Sequence, residues 1–131
     1  MERRISNPWT WQDAFGFVQG HEVSGAQRVL FCSGQTSNDA DGNPLHDGDM
    51  RAQVNQAFDN LEAVLHEAGF TLGDVVRLNY YTTDVDLLLQ HWDAITSRLD
   101  AAGCRPASTL LGVNRLAFAA WMIEIEATAV I

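Results

Sequence analysis

The sequence predicts an α+β domain in two layers, with a mixed β-sheet packed under two helices. Two observations predict this class: apolar residues recur at steps of three and four in two segments, and they alternate strictly in two others. The apolar sides of these helices and strands can cover one another. At 131 residues the chain is expected to form a single domain spanning 1–131, of which residues 1–14 are an N-terminal extension.

The first two elements are predicted to be strands. Phe15 to Val23 and Arg28 to Gly34 are β-like segments joined by a turn at Ser24-Gly25-Ala26. The segment 38–44 is dense in Asn, Asp, Gly and Pro. It is therefore expected to be a surface loop.

The first helix is predicted from a stripe that ends close to residue 68. Asp49 can cap its start, and Gly69 fits the left-handed backbone position that commonly follows a helix. The stripe is formed by Met50, Val54, Ala57, Leu61, Val64 and Ala68, and Phe58 and Leu65 widen it.

The second helix repeats this design. Either Asp84 or Asp86 can cap its start, and Gly103 ends it. Its stripe is formed by Leu88, Trp92, Ile95, Leu99 and Ala102.

Two strands separate their side chains by alternation. In the segment 75–83, one face carries Val76, Leu78 and Tyr80, and the other carries Arg77, Asn79, Tyr81 and Thr83. In the last strand, which is one of two that close the chain, one face carries Ile123, Ile125, Ala127, Ala129 and Ile131, and the other carries Met122, Glu124, Glu126 and Thr128. The second face of the sheet has no helix left to cover it. Such a face is either solvated or buried against another subunit.

Composition excludes several classes of function. All eight basic residues are arginines, which excludes lysine Schiff-base chemistry and any phosphate loop that needs a lysine. A net charge of −9 opposes nucleic-acid binding. No apolar run approaches the roughly 20 residues that cross a bilayer, and no secretory signal is evident, so we expect no membrane partner and a cytoplasmic location. The four histidines and two cysteines lack metal-ligand spacing, so neither a metal nor a cofactor is expected.

Two segments near the C-terminus carry a family resemblance. The run Arg105-Pro106-Ala107-Ser108-Thr109-Leu110-Leu111-Gly112-Val113 precedes Met122-Ile123-Glu124-Ile125-Glu126-Ala127. Together they resemble the signature of the reactive-intermediate deaminase family, RidA or YjgF, over residues 15–131. The resemblance implies the chorismate-mutase-like RidA fold. It also implies a homotrimer with a central barrel, in which small-molecule ligands bind at the subunit interfaces.

The resemblance assigns a catalytic role to Glu124. It matches the family glutamate that is implied to orient or activate the water that attacks a C=N bond. A carboxylate desolvated at an interface has a raised pKa, which suits proton transfer near neutral pH. Glu126 projects from the same face, and a charged surface with Arg77 or Arg115 as counter-ion explains it equally well.

The candidate substrate-binding residues include two departures from the family pattern. Ser108 stands where relatives hold a substrate carboxylate with an arginine, and Phe17 stands where they have a tyrosine. A serine hydroxyl offers one neutral hydrogen bond and cannot replace a bidentate guanidinium. The segment Ser33-Gly34-Gln35 matches the family's Ser-Gly-Gln, and Tyr81 and Thr109 complete the candidate set.

Three functions remain open on the sequence. The first is an enzyme that hydrolyses an imine, an enamine or a related conjugated compound with Glu124 as acid or base. Activity on 2-aminoacrylate is less expected here than in relatives that have the arginine. The second is a non-catalytic trimer that binds a small molecule, and the third is a purely structural trimer. Ser108 and Phe17 are smaller or more apolar than the family residues they replace. This favours a ligand larger or less charged than a small imino acid.

Overall fold

The computed structural model describes all of residues 1–131 as an α+β domain, and it confirms the predicted fold class. The strands are β1 (Glu2–Ser6), β2 (Gly20–Ser24), β3 (Val29–Thr36), β4 (Val75–Thr82), β5 (Ala107–Gly112) and β6 (Ile123–Val130). The helices are α1 (Met50–Glu67), α2 (Val85–Gln90) and α3 (Trp92–Ala102). None of the helices is long and apolar enough to cross a membrane.

The main sheet has four strands in the order β3-β6-β4-β5. Its β4–β5 pair is parallel and its other two pairs are antiparallel, so the sheet is mixed, as predicted. One apolar core joins the helices to the sheet, with Phe58 and Leu61 of α1 and Ile123 and Ile125 of β6 fully buried in it. Because β6 lies between β3 and β4, its backbone is hydrogen-bonded to a strand on each side.

The ends of the first helix follow the sequence signals. Asp49 accepts a hydrogen bond from the backbone N–H of Ala52 at 3.0 Å, which satisfies one of the free donors of the first turn. At the other end Gly69 has φ +81°, and the N–H of Phe70 reaches back to the carbonyl of Leu65. A residue with a β-carbon is strained at such a φ.

The second helix is divided in two. His91 has φ −112° and ψ 17°, so the backbone leaves the helical region between α2 and α3. Of the two predicted caps, Asp84 is the one that accepts a hydrogen bond, from Leu87 N–H at 3.0 Å. The apolar stripe continues across the break, and this is why periodicity alone indicated one helix.

The N-terminal region differs from the expected strand over 15–23. Residues Asp13–Phe15 form a short 3-10 turn that ends at Gly16, whose φ is +79°, and the strand begins only at Gly20. The segment 1–14, to which no element was assigned, contains β1, which pairs with β2 in a separate two-stranded sheet. All five residues of β1 are exposed, so no apolar alternation indicated this strand.

Alternation is confirmed in β6 and shifted in β4. Ile123, Ile125, Ala127 and Ala129 are buried as predicted, between half-buried Glu124, Glu126 and Thr128. In β4 the register shifts between Val75 and Arg77, so Val75 enters the core in place of Val76. Such a bulge inserts one residue and reverses the alternation on one side of it.

No helix covers the second face of the sheet, which we call the open face. Phe31 of β3 is 79% exposed on it and Leu111 of β5 is 50% exposed.

Gln53 of α1 is fully buried and binds the backbone at the start of β6 from the helix side. It accepts a hydrogen bond from Met122 N–H at 2.9 Å and donates one to the carbonyl of Ala120 at 2.9 Å. The strand that carries the two glutamates is thereby tied to the core helix.

Candidate active site

Glu124, the second residue of β6, lies on the open face between Gly34 and Tyr81. Tyr81 of β4 is its partner in register, and on the other side its carboxylate lies over the backbone of Gly34 in β3. A β-carbon placed on Gly34 would lie 2.4 Å from Glu124 Oε2 and 2.6 Å from its Cδ. The glycine of the Ser-Gly-Gln segment therefore leaves the space that the glutamate occupies.

The two neighbouring glutamates have opposite pKa shifts. Partial burial raises the pKa of Glu124, and the negative charge of Glu126 raises it further. Hydrogen bonds from Tyr81 Oη and from Asn79 Nδ2, the latter at 3.1 Å, lower the pKa of Glu126. Glu126 thus stays ionised, and Glu124 is the carboxyl group whose proton exchanges nearer to neutral pH.

Further polar side chains of the open face form a network beside this pair. Arg77 Nη2 donates to Thr109 Oγ1 at 2.8 Å, across from β4 to β5. The charge of Arg77 also lowers the pKa of Glu126, which agrees with the expectation that Arg77 or Arg115 is its counter-ion. The other, Arg115, donates to carbonyls of its own loop, at Leu116 and Ala117. Tyr81 and Thr109 therefore lie on the same face as Glu124.

Ser33 and Gln35 flank Gly34. Both are accessible, Ser33 more so than Gln35, and Gln35 Nε2 donates to the carbonyl of Ser33 at 3.2 Å. The register of β3 on β6 shifts between Cys32 and Gln35. This irregularity lies where Gly34 meets Glu124, so the segment shapes the surface beside the carboxylate.

Ser108 lies apart from Glu124, on the opposite side of the sheet. It pairs with Leu78, whose side chain is buried on the helix side of the sheet, so Ser108 faces that side and not the open face. Tyr81, the partner of Glu124, pairs with Leu111, three residues further along β5. At about 3.3 Å per residue, Ser108 lies about 10 Å from the level of Glu124 along the strands, with β4 between them.

Phe17 lies close to the start of β5. Its neighbour Val18 forms a parallel bridge with Ala107, and Val18 N–H donates to the carbonyl of Pro106 at 3.0 Å. The ring of Phe17 packs edge to face on Trp11, with 5.7 Å between the ring centroids. Within one chain, the candidate residues thus form two groups: Glu124 with Gly34, Tyr81 and Thr109, and Ser108 with Phe17.

An apolar pocket that was not predicted from the sequence lies next to the second group. The pocket has a volume of about 220 Å³ and is lined by Trp11, Phe15, Phe17, Leu89, Trp92 and Leu110. The alternation of β5 contained a signal for it, because Leu110 follows Ser108 on the same face of the strand. No group of three His, Cys, Asp or Glu side chains converges as metal ligands, and both cysteines are buried free thiols.

The fold and the open-face carboxylates define a class of α+β domains built on a mixed sheet with one uncovered face. The family model described as Endoribonuclease L-PSP matches residues 13–131 of this chain. The chain belongs to this family, which includes the RidA, YjgF and RutC proteins.

Three relatives illustrate the similarity. The RutC family protein YjgH of Escherichia coli is 35% identical over 100 residues, which are 74% of this chain and 75% of that protein. The crystal structure of YyfB from Yersinia pestis, a Rid family protein of unknown function, has a TM-score of 0.85 at 37% identity, with both chains fully covered. The 2-iminobutanoate/2-iminopropanoate deaminase of Dermatophagoides farinae is 28% identical over 130 residues, covering 99% of this chain and 97% of its own.

Proposed function

We propose that this protein hydrolyses an imine, an enamine or a related small conjugated compound, with Glu124 directing the attacking water. One observation carries the proposal: the Glu124 carboxyl group lies against Gly34 with its pKa raised, while its neighbour Glu126 is held ionised by Tyr81 and Asn79. A family member is named as a 2-iminobutanoate/2-iminopropanoate deaminase, and this name supports the same reaction class.

The reaction needs one group that both takes and gives a proton. In the proposed sequence, the Glu124 carboxylate accepts a proton from water as the oxygen bonds to the imine carbon and the C=N π electrons move to nitrogen. The protonated carboxyl then returns the proton to nitrogen, which gives a carbinolamine. Glu124 next takes the proton of the carbinol hydroxyl and passes it to nitrogen as the C=O bond forms and the C–N bond breaks, so ammonia leaves a carbonyl compound. General acid–base catalysis of this kind contributes about 10²- to 10⁴-fold to a rate.

We place the complete site between subunits of a homotrimer. In one chain the Ser108–Phe17 group and the Glu124 group lie on different sides of the sheet, so they cannot grip one small ligand together. Exposed apolar residues on the open face, Phe31 and Leu111 among them, favour burial of that face against further copies. The edge of one subunit that carries Ser108 would then face Glu124 of the next.

A second candidate function is ligand binding without turnover. Ser108 and Phe17 support it, because a hydroxyl and a phenyl ring replace the guanidinium and the phenol that grip the substrate of deaminating relatives. Glu124 is an argument against ligand binding without turnover, because a site that only binds needs no carboxyl group with a raised pKa.

Freshly generated 2-iminopropionate tests the proposed reaction. We expect measurable hydrolysis by the unmodified chain and, in the Ser108→Arg and Phe17→Tyr double variant, a kcat/KM that is on the order of tenfold higher. The reason is the charge-assisted pair that a guanidinium makes with the substrate carboxylate. The rate of ammonia release above the uncatalysed rate is the measurement. Absence of hydrolysis by both proteins would contradict an imine-hydrolase scaffold.

The acid side of the pH profile is a second test. The proposed base works as the carboxylate, so kcat/KM should rise with pH through the pKa of Glu124. Because this pKa is raised, the rise should occur above the ordinary glutamate pKa of about 4.3. Burial is the larger cause of this raised pKa and the charge of Glu126 the smaller one. In Glu126→Gln the smaller cause is gone, so the rise should move to lower pH while the plateau changes little. The profile is measured as kcat/KM from about pH 4 to 8. An identical inflection in both proteins would show that Glu124 is not the titrating group.

A further inference from the structure

The apolar pocket lined by Trp11, Phe15, Phe17, Leu89, Trp92 and Leu110 has the features of a binding site for a hydrophobic group. All six lining residues are apolar. Two of them, Trp11 and Trp92, carry an indole N–H, but no polar atom contributes to the surface of the pocket, and Trp92 Nε1 already donates to the carbonyl of Phe15 at 2.9 Å. A polar ligand group would therefore find no side-chain partner here, whereas a hydrocarbon group would lose no hydrogen bond with the pocket.

The walls of the pocket are held in place without a ligand. Trp11 packs edge to face on both Phe15 and Phe17, with centroid separations of 6.5 and 5.7 Å. Trp92 is fixed by its hydrogen bond to Phe15 and by an edge-to-face contact with buried Tyr80 at 5.2 Å. Such preorganisation lowers the side-chain entropy that the pocket must lose when a ligand binds.

Large apolar side chains are nevertheless exposed around this pocket. Trp11 is 58% exposed, Phe15 44% and Leu89 48%. Burying them under a ligand would remove apolar surface from water, at about 25 cal/mol for each Å². The pocket volume of about 220 Å³ exceeds the roughly 150 Å³ of a cavity that binds benzene. A pocket of this size fits one ring-sized group.

The pocket is continuous with the candidate substrate-binding residues. Leu110 lies two positions after Ser108 and so on the same face of β5, and Phe17 belongs to both the pocket and the candidate set. A ligand held beside Ser108 and Phe17 would project its substituent towards Leu110 and Trp11.

We propose that this pocket receives an apolar, ring-sized substituent of the ligand, so that the preferred compounds carry a phenyl or a comparably large aliphatic group. Resting on the proposed function, this inference makes the substrate class imines or enamines of such compounds, above the smallest imino acids. Phenylpyruvate and pyruvate are suitable probes, because they are the stable carbonyl products of such hydrolysis and differ only by the ring.

The test compares two tryptophans of equal exposure. Trp9 is 58% exposed, as Trp11 is, but it does not line the pocket. By calorimetric titration, phenylpyruvate should bind on the order of tenfold more tightly than pyruvate. Trp11→Ala should abolish that preference, Leu89→Ala should reduce it, and Trp9→Ala should leave it intact. Circular dichroism verifies that each variant is folded.

The possible results separate this inference from the proposed reaction. Equal affinities for the two probes, no binding of phenylpyruvate, or equal losses in Trp11→Ala and Trp9→Ala would overturn the pocket assignment even if imines are hydrolysed. A ring preference that depends on Trp11 supports the pocket. If imine turnover is absent in that case, the hydrolase proposal fails and the ligand-binding function takes its place.

Discussion

Glu124→Gln is expected to lower kcat for imine hydrolysis by about 10²- to 10⁴-fold, the largest effect we expect from a single substitution in this chain. Glutamine keeps the size and hydrogen-bonding capacity of the side chain but cannot accept a proton from water. The Glu124 carboxyl group is partly buried with its pKa raised, so its replacement removes the one group that we place in proton transfer. The measurement is steady-state turnover of freshly generated imine, with the affinity for the carbonyl product determined in parallel.

Glu126→Gln is the matched control for this substitution. Glu126 lies on the same strand and the same face, but its hydrogen bonds with Tyr81 and Asn79 keep it ionised and engaged. Its replacement should leave the turnover plateau within a few-fold. Comparable losses in both variants would point to a shared charge requirement and not to acid–base catalysis by Glu124. If Glu124→Gln changes only the ligand affinity, the non-catalytic binding protein is favoured. If it changes only the stability, the structural trimer is favoured.

Gly34→Ala is expected to lower turnover by about 10²-fold while the protein stays folded. The new β-carbon would lie 2.4 Å from Glu124 Oε2, closer than atoms can approach, so the carboxylate must move away. The atoms that would collide belong to the flexible end of a side chain, so the backbone need not shift. A displacement of about 1 Å at a reacting group can cost about 10²-fold in rate. Turnover and the thermal midpoint of unfolding are measured together.

Gly20→Ala provides the control for a glycine-to-alanine change within a strand. Its added β-carbon would meet only Ser6, at 3.3 Å, in the two-stranded sheet. Both substitutions should leave the unfolding midpoint within a few degrees, because alanine restricts the unfolded chain and raises stability slightly where its backbone is unstrained. If Gly34→Ala retains full turnover, Glu124 is not held in a position that the reaction requires.

Local sequence signals were sufficient for much of this fold. Asp49 and Gly69 mark the ends of α1 because capping depends on atoms a few residues apart. Alternation placed Glu124 and Glu126 together on one face of β6 for the same reason. The break at His91 and the bulge after Val75 were not foreseen, since apolar residues continue through both.

The candidate site was only partly accessible from the sequence. The residue types of Glu124, Ser108 and Phe17 could be read from their motifs. Their arrangement could not, because Ser108 and Glu124 belong to strands separated by β4 and face opposite sides of the sheet. The pocket around Trp11 was missed because it joins the N-terminal segment to α2, α3 and β5, which are distant along the chain.

By itself, then, the sequence determined the class of the domain, its helix caps, its alternating strands and its family. These properties depend on periodicity, capping and motif, which act over a few residues. The tertiary structure alone decided that Gly34 makes room for Glu124, that Ser108 turns to the helix side, and that four aromatic residues line a pocket beside it. These features depend on strand register and long-range packing, where a shift of one residue would move every side chain to the other face.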